Sequence, residues 1–201
     1  MAEGRRPRAA TEEKRKRILD ATEEIMLKDG YAAVSSRSVA AQVGIQAPLV
    51  HYYYATLDDL FVAVLRRLSA RSVERMAAAL LSEEPLRAWW TLASDQRGTS
   101  MFVELLAAAN HRPPLKTELG TIARDVRRMQ MDVLENILGE YGIDAELFPP
   151  ALVAAAVQGL AFSLVQDHAA GYDTATDEAF DAMARLVDRL EAGRRKPKRK
   201  R

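Results

Sequence analysis

One stretch, Ser35 to Asp59 (SSRSVAAQVGIQAPLVHYYYATLDD), constrains this chain more than any other. Ser35 or Ser36 can cap a helix, because a serine hydroxyl accepts from an orphan backbone N–H. Val39, Ala40 and Val43 then share one helical face. Gly44 stands where a helix needs a left-handed residue to stop, and Ile45 plugs the turn. Gln46 is placed to cap a second helix, roughly Ala47 to Tyr53, with Pro48 in its first turn where a missing N–H does no harm. Val50 is its buried anchor. Gln46, His51 and Tyr52 lie on the other side. Thr56 can cap the next helix, with Asp58 and Asp59 in its first turn favoured by the macrodipole.

A short helix with a polar and aromatic outer face behind a glycine turn is the geometry of a helix-turn-helix, whose second helix enters the major groove. Spacing alone also suits any corner between two helices. The surroundings favour the first reading. From about Thr11 to Leu65 the chain resembles, without a gap, the DNA-binding domain of TetR-type transcriptional repressors. The matching residues are Ser35–Ser36–Arg37, Val43–Gly44–Ile45, His51–Tyr52–Tyr53–Tyr54 and Leu57–Asp58–Asp59–Leu60–Phe61. Three positions depart from the family pattern. Gln46–Ala47–Pro48 replaces the usual start of the recognition helix, His51 its first tyrosine, and Leu57 a lysine. The departures bear on the operator sequence and on one phosphate contact.

The resemblance implies an all-α chain. Its parts are expected to be a basic flexible arm (1–10), a three-helix DNA-binding domain (11–56), a helical effector-binding and dimerisation domain (57–192) and a basic disordered tail (193–201). A long first helix fits, with Thr11 as cap and Ile18, Ala21, Thr22, Ile25 and Met26 inward. Asp29–Gly30 ends it, Tyr31 folds back on the core, and Lys14, Lys16 and Arg17 point outward. A fourth helix, about Leu57 to Leu81, is expected to carry a basic side of Arg66, Arg67, Arg71 and Arg75. Beyond Pro85 every segment reads as helix: Leu86 to Gln96, Thr99 to Asn110, Leu115 to Tyr141, Ala151 to Gly171 and Thr176 to Ala192.

Composition excludes several functions. The absence of cysteine rules out disulfides and thiolate metal sites and fits a reducing cytosol. No apolar segment at the N-terminus suggests secretion. The longest apolar run, Ala151 to Val165, contains Gln158 and is expected to be too short to span a bilayer. The net charge of +1 hides an asymmetry, since basic residues gather at both ends around an acidic middle. That pattern excludes a uniformly basic nucleic-acid coat and leaves localised contact. His51, His111 and His168 lack helical partners at metal-ligand spacing, no glycine-rich phosphate loop occurs, and no nucleophile–base pair can be nominated. No catalytic residue, metal or cofactor is therefore expected.

The residues expected to meet a double-stranded operator are Ser36, Arg37, Gln46, Ala47, Pro48, Leu49, His51, Tyr52 and Tyr53. Gln46 and His51 offer hydrogen bonds to base edges. Ala47, Pro48 and Leu49 offer apolar contact, while Arg37, Tyr52 and Tyr53 suit phosphates. The large apolar groups Trp89, Trp90, Phe102, Leu105, Met129 and Phe162 read either as ordinary core or as the wall of an apolar effector cavity. Asn110, His111, Gln158 and Gln166 are the polar candidates for that cavity. The resemblance supports a cavity and a small-molecule effector. In the helix beginning near Ala151, Ala151, Ala155, Gly159 and Ser163 recur every four residues, a row that lets two helices approach closely. Phe180, Met183, Val187 and Leu190 form a second apolar face. The resemblance implies that these two faces form a homodimer, the alternative being packing within one subunit. The chain so read is a cytoplasmic repressor released from a palindromic operator by its effector. A helical carrier or enzyme that keeps the N-terminal helices as scaffold is the competing reading.

Overall fold

A computed structural model describes residues 5–172 and 174–194, with side chains for 10–172 and 175–194. Among these residues the chain is all-α: α1 Arg5–Asp29, α2 Ser36–Val43, α3 Ala47–Tyr53, α4 Leu57–Leu80, α5 Pro85–Ala93, α6 Gln96–Ala109, α7 Pro113–Glu140, α8 Pro150–Ala169 and α9 Thr174–Gly193, with a 3-10 turn at Tyr31–Ala33. No strand forms among them. The first helix begins at Arg5, so the segment expected as a flexible arm is helical from that residue and Thr11 is not its cap. Residues 1–4 and the tail from 195 lie outside the described residues.

The chain divides into two compact units. One comprises residues 1–70 and 100–122, the other 71–99 and 123–201. This differs from a boundary at Leu57. The fourth helix contributes Leu60, Phe61, Val64 and Leu65 to the first core. Met101, Leu105, Ala108, Ala109 and Leu115, distant in sequence, complete that core beside Ile18, Met26, Val39 and Val50.

The second unit has its own core. Trp89, Trp90, Leu134, Ile137, Ala154, Ala161, Leu164 and Val187 are its buried members. Phe180, Met183 and Leu190 pack against them, and Trp90 and Phe180 lie with ring centroids 5.9 Å apart. On α9, Val187 is buried in this core, while Phe180, Met183 and Leu190 are half-buried against it. The row on α8 differs: Ala151, Ala155, Gly159 and Ser163 are all exposed, as are Leu152, Leu160 and Phe162. The helix also runs on to Ala169. Its 20 residues make it long and apolar enough to cross a membrane by length and composition, with 22% of its most apolar window buried.

Candidate nucleic-acid interface

The helix-turn-helix is built by local chemistry. Ser35 accepts from Ser38 N–H at 3.0 Å and Ser38 Oγ accepts from Ser35 N–H at 2.9 Å, a reciprocal capping box. Val39, Ala40 and Val43 are buried. Gly44 adopts φ 73°, and its N–H bonds back to the last carbonyls of α2. A side chain would strain that left-handed backbone. The N-cap of α3 is Gln46, yet its side chain makes no capping bond; the amide stays exposed. Thr56 caps α4 reciprocally with Asp59, whose N–H donates to Thr56 Oγ1 at 3.0 Å and whose carboxylate accepts from Thr56 N–H at 3.0 Å.

Of the residues expected to meet DNA, Arg37, Gln46, Pro48, His51 and Tyr52 are exposed. Ser36, Ala47, Leu49 and Tyr53 are half-buried at their margin, where Tyr52 and Tyr53 pack edge to face at 5.1 Å. Val50 is buried beneath them. The His51 Nδ1 lies 3.4 Å from the Ala55 carbonyl. A carbonyl only accepts, so Nδ1 is the donor in that contact and Nε2 is free to meet another group. The helix therefore presents an amide that both donates and accepts, an imidazole nitrogen, apolar methylene surface and a phenol. This is the range of contacts that base edges and phosphates take.

Several expected surface cations are engaged instead. Arg17 donates to the Val43 carbonyl at 2.7 Å, satisfying the end of α2. The Arg67 guanidinium donates to Asp20 at 2.7 Å and to Glu23, binding α4 to α1. Arg66 forms a two-pronged pair with Glu118 at 2.7 and 3.0 Å, and Arg75 meets Asp95 at 3.1 Å. The basic side expected on α4 is therefore largely paired. Arg15 stands over the Tyr54 ring at 5.8 Å. Burial pushes the Tyr54 phenol above its ordinary value, against the pull of Arg15 and Arg67.

Three contacts tie the corner between α6 and α7 into this unit, and sequence reasoning missed them. Glu104 accepts from Tyr31 N–H at 2.7 Å. Arg112 pairs with Asp58 at 2.5 Å and lies 4.6 Å over the Phe61 ring. His111 stacks on Tyr31 at 6.4 Å. Arg112 thus fixes the first turn of α4, immediately after the recognition-type helix. No local pattern signals a pair 54 residues apart.

Phe102, Leu105, Asn110 and His111 belong to the first unit, whereas Trp89, Trp90, Met129, Gln158, Phe162 and Gln166 belong to the second. Trp89 and Trp90 are buried, Phe102 and Phe162 exposed, and Gln158 and Gln166 half-buried. Gln130, buried at 2% exposure, was missed. Its signal was its place four residues beyond Val126 and four before Leu134, on one helical face.

A capped helix, a left-handed glycine turn and a short helix with an exposed polar face define a helix-turn-helix protein of the DNA-binding class. Residues 18–64 match the model of the bacterial regulatory proteins of the tetR family. Over these residues the chain is similar to that family. Over 114 residues it is 34% identical to the HTH-type transcriptional repressor KstR of Mycolicibacterium smegmatis, a match that takes in 57% of this chain and 52% of KstR. The chain thus spans about half the length of that curated relative. A transcriptional regulator of Rhodococcus sp. Rha1 shares the fold over 91% of this chain and 98% of its own, with a TM-score of 0.65 and 22% identity. FadR of Bacillus subtilis, solved with stearoyl-CoA, does so over 89% and 98%, with a TM-score of 0.65 and 16% identity.

Proposed function

We propose that this protein is a non-enzymatic, ligand-responsive transcriptional repressor that binds a palindromic operator as a homodimer and is released by a small, mainly apolar effector. The observation that carries the reading is the exposed face of α3, with Gln46, Pro48, His51 and Tyr52 held over a buried Val50. The KstR relative is a repressor by name, which supports the direction of control. FadR was solved with an acyl-CoA, which supports an effector with a large apolar part.

The dimer reading rests on α8. Ala151, Leu152, Ala155, Gly159, Leu160 and Phe162 make an exposed apolar face without a charge. A face of this kind marks an interaction surface. The recurring small residues suit a close helix crossing better than lipid, and the opposite side of α8 already packs in the core through Ala154, Ala161, Leu164 and Val165. A twofold pair would present two recognition helices to two half-sites. An effector acts only through different affinities for the operator-bound and released states.

Selection of bound fragments from sheared genomic DNA tests the reading. The expected result is an enriched palindrome whose half-sites lie about one helical turn, or a multiple of it, apart. Recovery of fragments without sequence preference would favour the competing reading, a carrier or enzyme that keeps these helices as scaffold.

A further inference from the structure

Three buried side-chain polar atoms in the second unit have no hydrogen-bond partner among the described residues: Ser82 Oγ, Trp89 Nε1 and Gln130 Nε2; the last two belong to side chains that are themselves almost wholly buried. Trp89 is 1% exposed and Gln130 is 2% exposed. Neither the indole Nε1–H nor the amide Nε2 finds a partner among the described residues. Trp89 belongs to the same apolar cluster as Leu134, which stands one helical turn beyond Gln130 on α7. Residues four apart on a helix share a face, so the Gln130 amide is directed to the side of α7 that meets this cluster. The buried members of the cluster are all apolar. A buried donor left unpaired costs about 1–3 kcal/mol, so each of these two is a burden that apolar packing alone does not relieve.

We propose that Trp89 and Gln130 form the polar end of a ligand site in the second unit, and that its ligand is a neutral, largely apolar molecule carrying an acceptor oxygen, such as a ketone or ester carbonyl. The chemistry follows from the donors. Both offer N–H, so the ligand must accept. A carboxylate would bring a charge into a cluster whose buried members include no cation, and burying an unpaired charge is far costlier than burying a carbonyl. An ammonium would add a third donor. The apolar cluster supplies the rest of the affinity by burial. The ligand is an effector only if the regulatory reading above holds; the site itself does not depend on DNA.

The chain has two tryptophans, so Trp90→Phe leaves Trp89 as the sole reporter. Its fluorescence is titrated with octan-2-one, octanoate, octane and octylammonium, in the absence of DNA. Octan-2-one is expected to shift Trp89 emission at concentrations about tenfold below those of octane, the margin of one good hydrogen bond. Gln130→Leu should bring the two curves together. In the unliganded protein, Gln130→Leu should raise Tm, because it replaces an unpaired donor with apolar atoms of similar volume. A lower Tm for Gln130→Leu would show that this donor is already satisfied, by water or otherwise, and would overturn the site. Equal response to octane and octan-2-one, or no response to any of the four probes, would overturn it as well. Operator selection that succeeds while these titrations fail removes the ligand class and leaves the regulator intact.

Discussion

The two compact units solve the problem of stability differently. The first satisfies its polar groups with caps and long-range ion pairs: Ser35 with Ser38, Thr56 with Asp59, Arg67 with Glu23, Arg112 with Asp58 and Glu104 with the Tyr31 N–H. Its apolar side chains are mostly inside. The second leaves a whole helix face of apolar residues outside and three polar atoms, on Ser82, Trp89 and Gln130, unpaired inside. A unit that holds a recognition helix must be rigid, because base contacts tolerate little displacement. A unit with unsatisfied groups and an uncovered apolar face is completed by something else. On our proposal the partners are a second copy of the chain and a ligand.

The largest expected effect separates the two apolar faces of the second unit. Val187→Glu puts a charge into the core beside Trp90 and Leu164 and should cost about 3–5 kcal/mol, enough to unfold that unit. Ala155→Glu lies on the exposed face of α8 and should leave the subunit folded but monomeric. Circular dichroism and light scattering on both variants decide this; a folded dimer for Ala155→Glu would place the interface elsewhere.

A smaller effect probes the turn. Gly44 has φ 73°, and a Cβ there would meet no neighbouring atom within 4 Å. Backbone strain is then the whole cost of Gly44→Ala, about 1–2 kcal/mol in denaturant unfolding. A loss beyond that range would mean that α3 itself is displaced.

The ion network of the second unit responds to alkali. Tyr141 donates to Glu191 at 2.7 Å, while the other oxygen of Glu191 accepts from Leu86 and Arg87 N–H at the start of α5. Burial, followed by the Glu191 bond, pushes the Tyr141 phenol well above its ordinary value of 10.0. A raised folded-state value stabilises below the unfolded value and is lost as pH rises through the folded one. Stability should therefore fall above about pH 10, and Tyr141→Phe should flatten that part of the profile. An unchanged alkaline slope would show that Tyr141 does not carry it.

The smallest effect lies at the surface. The Glu118 carboxylate is held below its ordinary value, first by its bond to Arg66. Its contribution is present above the unfolded value and lost as pH falls. The Arg66 side chain is 65% exposed, so Arg66→Ala should change stability by no more than about 0.5 kcal/mol, and less in high salt. A larger, salt-insensitive loss would give the α6–α7 corner a greater structural role than this pair implies.

How much of this was legible in the sequence follows the same division. Turn, caps and exposed recognition face depend on residues within a few positions of one another, and the positions expected from Ser35, Gly44, Val50 and Thr56 agree with the structure. The Gln46 side chain is the exception: it stands at the N-cap position without bonding the backbone. The clamps of Arg67 and Arg112 join residues 44 and 54 positions apart, and no periodicity announces them. The α9 stripe was legible as apolar, but the burial of Val187 and the packing of Phe180 against Trp90 were not, because a stripe does not reveal which surface covers it.

The most direct test of the account is a comparison of Gln46→Ala with the unchanged protein on the selected operator and on every single-base variant of it. Gln46 is exposed at the start of α3 with its amide free of the capping bond. If it reads a base, the substitution costs about 1–3 kcal/mol on the parent operator and abolishes discrimination at one base pair in each half-site, leaving other positions unaffected. An equal loss on all sequences would assign Gln46 to the phosphates, and no loss at all would contradict the claim that this face of α3 enters the groove.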